Sequence, residues 1–362
     1  MSLGTTPMLA DMARQPDVLR ALLARADVFL DAGSKLLAPG PGGRLFVSGC
    51  GDGLFAGEAS ALFAQEVGLE WRAMGSLDLV LSARRMLPTD RAICISMSGN
   101  VDRTVEAASA VAASRLPLLA LVNGDGGRLG AIAAAKVSLD LPDIAPFLCG
   151  TASYTATICA LMLLAAGAAG AAHMTGAMAA LPDAVAQASQ TAADVLCGLE
   201  AQGITGIRLL GAGADTGTAR YGAAKFVELT RIPAWSADLE EFAHSQYWAM
   251  PVSDMVVVIA TGPEVAAYAT ESCRALRRLG VRTLAIDTEH SPVATAAQRI
   301  TLPALPKILA PLVAAVPLQH LAYRLSEASG LDPNCRTHLK DDVQRFAVSR
   351  ALTRRSLIGT GQ

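Results

Sequence analysis

RLFVSGCGDGLFAGEASALFAQEV, residues 44–67, holds the pattern that decides the fold. Its first seven residues are a short, continuously apolar run of the kind that forms a strand buried on both faces. Gly51-Asp52-Gly53 then turns the chain, and a helical run follows to about Val67. The same sequence of strand, turn and helix recurs through the first half. WRAMGS (71–76), RAICISMS (91–98), PLLALVN (117–123) and KVSLDLP (136–142) read as strands with helical patterns between them. In the second half GIRLLGAG (206–213), MVVVIATG (255–262), VRTLAID (281–287) and RITLP (299–303) take the strand parts, with a helix over 264–279. Apolar strands alternating with helices imply parallel sheets, hence an α/β fold of three layers with helices on both faces. The two halves share a plan with little sequence identity, which suggests a duplicated architecture joined by helices over 152–201.

Composition bounds the function. At 362 residues the chain is about two domains long. With 52% hydrophobic and 17% charged residues it can bury large cores. A net charge of −2, with no basic block, argues against nucleic acid as the main partner. Seven cysteines form no C-x-x-C pair and sit mostly in apolar segments, as reduced thiols of a cytosolic protein would. Residues 1–20 show no signal-peptide core, so the expected location is cytoplasmic. TICALMLLAAGAAGAAHM (157–174) is apolar enough to raise the question of a membrane span, but its Ala and Gly content and lack of basic flanks favour a buried helix. The five histidines show no metal-ligand spacing, so no metal and no cofactor are expected.

In open parallel sheets, ligands lie beyond the carboxyl ends of the strands, against helix N-termini. Two loops take that place: Cys50-Gly51-Asp52-Gly53, and Ser96-Met97-Ser98-Gly99-Asn100 after RAICI. Backbone N–H groups and serine hydroxyls there can cradle a phosphate, although Gly-rich turns are also ordinary connections between strand and helix. A dinucleotide site is a poorer reading, because Ala56 stands where the third glycine of G-x-G-x-x-G belongs and no acidic ribose partner follows. A second constellation lies in RYGAAKFVELTRIPAWSADLEEFAH (220–244). Lys225 and Glu228, three apart, share a helix face, Pro233 closes that helix, and His244 follows on a polar segment. An amine, a carboxylate and an imidazole together can move protons on a sugar carbonyl; the plain alternative is a surface ion pair and a loop histidine. Burial among KFVELT should raise the carboxyl pKa of Glu228, and a tight Lys225 pair should lower it.

Taken in order, VSGCGDG, SMSGNVDRT, GTASYTAT, GAGADTGTARYGAAKFVELT with EEFAH, and LAPLVAAVPLQHLAY resemble the double sugar-isomerase (SIS) domain family. That family includes the isomerase half of glucosamine-6-phosphate synthase and stand-alone phosphosugar isomerases, deaminases and deglycases. The resemblance covers about 30–340. It implies an N-terminal helical segment over 1–30, a first SIS domain with connecting helices over 31–201, a second over 202–340, and a tail over 341–362.

The resemblance also implies roles. Glu228 is the proton-moving carboxylate, Lys225 its helix lysine, and His244 the ring-opening histidine, lent by a neighbouring chain in a homodimer. Ser96, Met97, Ser98, Gly99 and Thr104 form the phosphate loop, with Cys50, Gly51, Asp52, Gly53 and Ser153 beside the substrate. A C-terminal lysine falls on Asp341, or on Lys340 with one gap. Departures are Val101 for a hydroxyl residue, Met97 for Gln or Arg, Gly53 for a hydroxyl residue, and Leu148 for a glutamate. The implied function is isomerisation, deamination or deglycation of a hexose or hexosamine 6-phosphate. No glutamine-hydrolysing domain precedes, so glutamine-dependent amination is not expected. A non-catalytic sugar-phosphate sensor is the competing reading. Trp235, Trp248 and Tyr154 could stack on a sugar or pack a subunit seam.

Overall fold

The computed structural model describes residues 6–353. Two five-stranded sheets, all parallel, carry the fold. The first holds β1 (Leu45–Gly49), β2 (Trp71–Gly75), β3 (Arg91–Ile95), β4 (Leu118–Val122) and β5 (Ala135–Ser138), in the order β2-β1-β3-β4-β5. The second holds β6 (Ile207–Gly211), β7 (Ala234–Asp238), β8 (Met255–Ala260), β9 (Arg282–Thr288) and β10 (Gln298–Leu302), in the order β10-β9-β8-β6-β7. Read from its other edge this is β7-β6-β8-β9-β10, the same topology. The duplication expected from the alternation is therefore present strand for strand. Central strands β1, β4 and β8 are buried at every residue, which is why they read as unbroken apolar runs.

One strand was hidden in the sequence. The second half offers four apolar runs, but its sheet has five strands; β7 lies in PAWSAD, read above as a turn and a polar segment. It is an edge strand with no fully buried residue, and Trp235 is half-exposed, so it lacks the apolar signature. The helix before it, Asp215–Thr230, ends with Arg231 in the left-handed region at φ 57°, and Pro233 follows as a second stop.

The chain forms two compact units that interleave along the sequence. One gathers 6–17, 143–155 and 180–338 around the second sheet; the other gathers 18–142, 156–179 and 339–353 around the first. A cut at 201/202 therefore does not follow these units: the Leu181–Leu196 helix goes with the second sheet, as do the first described residues. The apolar segment around 157–174 is a helix, Ala152–Ala168, buried along nearly its whole length. Lys307–Ala328 is also long and apolar enough to cross a bilayer, but 83% of its most apolar window is buried in the protein, as a core helix would be. The tail is helical over Thr337–Asp341 and Val343–Thr353; its last residues lie outside the described ones.

Candidate functional site

In the unit built on the second sheet, the Asp215–Thr230 helix places Lys225 and Glu228 one turn apart. Lys225 is 2% exposed, and its Nζ donates to Glu228 Oε1 at 3.0 Å. Beneath the amine lies the ring of Tyr221, 5.3 Å away, itself stacked on Tyr154 with ring centroids 3.6 Å apart. Tyr154 is thus a core residue, 1% exposed, with no sugar-facing ring. The Tyr221 hydroxyl donates to the Gly150 carbonyl at 2.8 Å and accepts from Gln319 Nε2 at 3.1 Å. Gln319 in turn accepts from Gln15 at 2.8 Å, and Gln15 from Thr155 at 2.9 Å. A satisfied buried network of this kind fixes the helix that carries the pair.

Glu228 keeps 31% of its side chain exposed. Its second oxygen, Oε2, accepts from Arg336 Nη1 at 2.6 Å, and the Cys149 thiol lies 3.7 Å from the same oxygen. Desolvation resists ionisation here. The Lys225 ammonium and the Arg336 guanidinium outweigh it and hold the carboxyl below its ordinary value. Of the two opposed effects read from the sequence, the cations win. Arg336 is the partner of Glu228 that sequence reasoning missed. The cation that reaches Glu228 from this end of the chain is Arg336, whereas Lys340 and Asp341 are exposed on the short Thr337–Asp341 helix. His338 Nε2 lies 2.9 Å from the Glu228 backbone carbonyl, and its buried Nδ1 has no partner among the described residues.

His244 ends the Leu239–His244 helix, which Asp238 caps by accepting from the N–H groups of Glu240 and Glu241. Its imidazole is 65% exposed and lies 2.8 Å from Glu240 Oε1, which pushes its pKa up. The acidic residue that orients it is Glu240. Beside this helix a cavity of about 400 Å³ is lined by Phe242, Tyr247, Leu276 and Trp248, the last 80% exposed. Trp235 packs under Arg208, 4.0 Å from its guanidinium.

In the other unit, the two loops expected to hold an anion follow the neighbouring strands β1 and β3. In an order of 2-1-3-4-5 this is where the connections diverge and leave a crevice. Gly51 has φ 55° and Gly99 φ 64°, so both turns use the left-handed region that glycine enters freely. Gly99 is also pressed on the next loop: a Cβ there would lie 1.8 Å from the Gly126 carbonyl oxygen. Ser96 is 5% exposed, and its Oγ is buried with no hydrogen-bond partner among the described residues. The Ser98 hydroxyl accepts from the Asn100 N–H at 3.2 Å. The Asp102–Ala113 helix starts after Val101 with no side-chain cap. Thr104 is fully buried, its hydroxyl 3.1 Å from Ser76 Oγ and 3.6 Å from Cys50 Sγ. Cys50 and Thr104 are thus brought together. Gly53 is explained by space: a Cβ would meet the Ile95 side chain at 3.2 Å.

Comparison with known proteins follows this geometry. Residues 205–326 match the SIS domain family. The second half of the chain thus resembles a SIS domain. It is 25% identical over 350 residues, 90% of its length, to the isomerizing glutamine–fructose-6-phosphate aminotransferases of Brucella abortus biovar 1 and Brucella suis biovar 1. It spans 56% of the length of those relatives. The C-terminal domain of glucosamine-fructose-6-phosphate aminotransferase from Francisella tularensis superposes with a TM-score of 0.77 at 15% identity, covering 90% of this chain and 97% of that one. The tagatose-6-phosphate ketose/aldose isomerase from Escherichia coli gives 0.70 at 20% identity, covering 93% and 96%. At such identities the shared property is the fold, and both SIS-like sheets take part in it. The matched residues 205–326 contain Lys225, Glu228 and His244, whereas Arg336, Ser96 and Cys50 lie outside them. Among the described residues no group of three or more His, Cys, Asp or Glu is arranged to hold a metal ion. Ser153 sits half-buried in the first turn of the Ala152–Ala168 helix.

Proposed function

We propose that this chain binds a phosphorylated hexose or hexosamine and moves a proton on its open-chain carbonyl form, as an aldose–ketose isomerase or a related deaminase or deglycase. The observation that carries this reading is a half-exposed carboxylate, Glu228, ionised and paired with the buried Lys225 inside the SIS-matched residues. The names of the similar proteins support the substrate class, since each includes a 6-phosphorylated sugar. In the isomerase form, Glu228 takes the proton from C2 of the aldose and returns it to C1 while the hydroxyl proton of O2 passes to O1, so that the carbonyl moves from C1 to C2. Lys225 stabilises the oxyanion of the intervening enediolate. The phosphate rests on Ser96, Ser98, Gly99 and the Cys50–Gly53 turn, with Met97 and Thr104 shaping the loop and Ser153 and Lys340 as further contacts.

His244, exposed and held by Glu240, would open the sugar ring in a second copy of the chain, making the enzyme a cytoplasmic homodimer. A chain that sediments as a monomer would remove His244 from this scheme. The test of the reaction is exchange with D2O, followed by NMR, of the C2 proton of glucose and glucosamine 6-phosphates and of a C1 proton of fructose 6-phosphate. Glu228→Gln is expected to bind the sugar phosphate as before and to lose exchange by roughly a hundredfold or more. A sensor is the second reading, favoured by the engagement of both Glu228 oxygens by cations. It predicts binding by the unaltered chain with no exchange at all.

A further inference from the structure

We infer that Arg336 is a positioning residue for Glu228, gripping one carboxylate oxygen so that the group faces Lys225 in one fixed orientation and works as a base. The inference rests on the reading of Glu228 as the proton-moving group. The guanidinium spends its donors in a single plane. Nη1 takes Glu228 Oε2 at 2.6 Å, Nε and Nη2 take the Phe147 carbonyl at 2.8 and 2.7 Å, and Nη2 also reaches the Leu148 carbonyl at 3.1 Å. The Phe147 ring covers its face at 4.2 Å, and only 12% of the side chain is exposed. Arg336 and Phe147 both adopt positive φ, 48° and 62°, a conformation that non-glycine residues hold only when their surroundings impose it. The backbone is thus bent on each side to present this one fork.

A lysine could supply the charge but not four hydrogen bonds in a plane. Every element packed on the carboxylate contributes to its state: Lys225 from the same helix, Arg336 from the segment before Thr337–Asp341, the Cys149 thiol from the 143–151 loop, and the His338 ring at the backbone carbonyl. Two cations against one carboxylate favour the ionised form at rest, which is ready to take a proton from C2 and holds none to give to the sugar ring before that step. The ring-opening proton must then come from a different group.

Two measurements on the full chain test this: the pH profile of C1-proton exchange with fructose 6-phosphate, and titration of the Glu228 carboxyl by carbon NMR, assigned by its loss in Glu228→Gln. In Arg336→Gln the acid limb and the carboxyl titration should both move to higher pH, with kcat falling and KM little changed. Arg336→Lys should restore part of each. The NMR titration needs no substrate, so it reads the clamp even where the assay is silent. An unchanged titration and profile in a folded Arg336→Gln or Arg336→Lys protein would overturn the inference, because a purely structural arginine moves only the melting temperature. Should Arg336→Gln fail to fold, Arg336→Lys decides by the same two readouts. Persistence of exchange in Glu228→Gln would instead remove the proton-transfer reading beneath it, whatever the arginine does.

Discussion

At the scale of single residues, what a side chain can do depends on who holds it. Lys225 and Glu228 are three positions apart, so their pairing follows from helix geometry and could be read from the sequence. Arg336 lies 108 residues from Glu228, and no local pattern marks it. Ser96 shows the converse. Its place after a buried strand was legible, but only the coordinates show an Oγ that is buried and unpartnered. Native proteins seldom leave such an atom without use. Ser96→Ala removes no internal hydrogen bond, so its stability should change by less than about 0.5 kcal/mol. Loss of one charge-assisted bond to phosphate should weaken fructose 6-phosphate by about 2 kcal/mol, some thirtyfold. Thermal unfolding and a calorimetric titration check the two halves of that statement. A large drop in melting temperature with unaltered affinity would show the serine to be structural.

Elements place these residues, and the turns are their most exacting parts. Between β3 and the Asp102–Ala113 helix the chain must reverse over 96–101 while its next neighbour, the Gly126 turn, presses against it. The S-x-S-G spacing announced a turn, but not that Gly99 has both a left-handed φ and a carbonyl where its Cβ would be. Gly99→Ala combines a strained backbone with a clash against main chain that cannot rotate away, and should cost about 3 kcal/mol or more in urea unfolding. An alanine variant of unchanged stability would show that the two loops separate freely. The edge strand β7 was invisible for a related reason: strands are recognised by what they bury, and an edge strand buries little. Central strands, which pack on both sides, were recovered to within about three residues at each end, whereas the buried helix Ala152–Ala168 starts and ends some five residues before the apolar stretch 157–174 that marked it.

On the scale of the whole molecule, two copies of one topology have taken different contents. Gly49 ends β1 and Gly211 ends β6, and in each case a Cβ would strike the residue four positions on, Gly53 or Asp215. Where the first copy has glycine and an open serine loop, the second has a buried carboxylate that accepts the Thr261 N–H at 3.0 Å and its hydroxyl at 2.8 Å. The second crevice supplies its own anion. Burial pushes Asp215 from an ordinary 3.8 up to about 6 despite those bonds. Such an acid holds its proton more tightly when folded. Its favourable contribution is complete below pH 3.8 and is lost as pH rises through 6, a loss on the order of 3 kcal/mol. Asp90 in the other unit has the opposite sign: burial resists its charge, but the Arg44 guanidinium and the N–H groups of Leu87 and Arg44 hold it below its ordinary value. Its contribution is present above pH 3.8 and fades as pH falls through that lowered value. Asp215→Asn should therefore melt higher than the unaltered chain at pH 8 and alike at pH 4. Equal gains at both pH values would show that charge is not the cause.

The alternation of strands and helices apart from the edge strand β7, the doubling of the plan, the two Gly-rich turns and the Lys225–Glu228 pair were determined by the sequence alone, since each rests on neighbours no more than a turn or a strand away. Only the tertiary structure decided which cations hold Glu228, that a buried carboxylate fills the second switch point, and where the compact units divide. Those outcomes depend on contacts between residues far apart in sequence, 46 positions for Asp215 and Thr261 and 108 for Glu228 and Arg336, and on desolvation, which exists only once the chain has closed around the group.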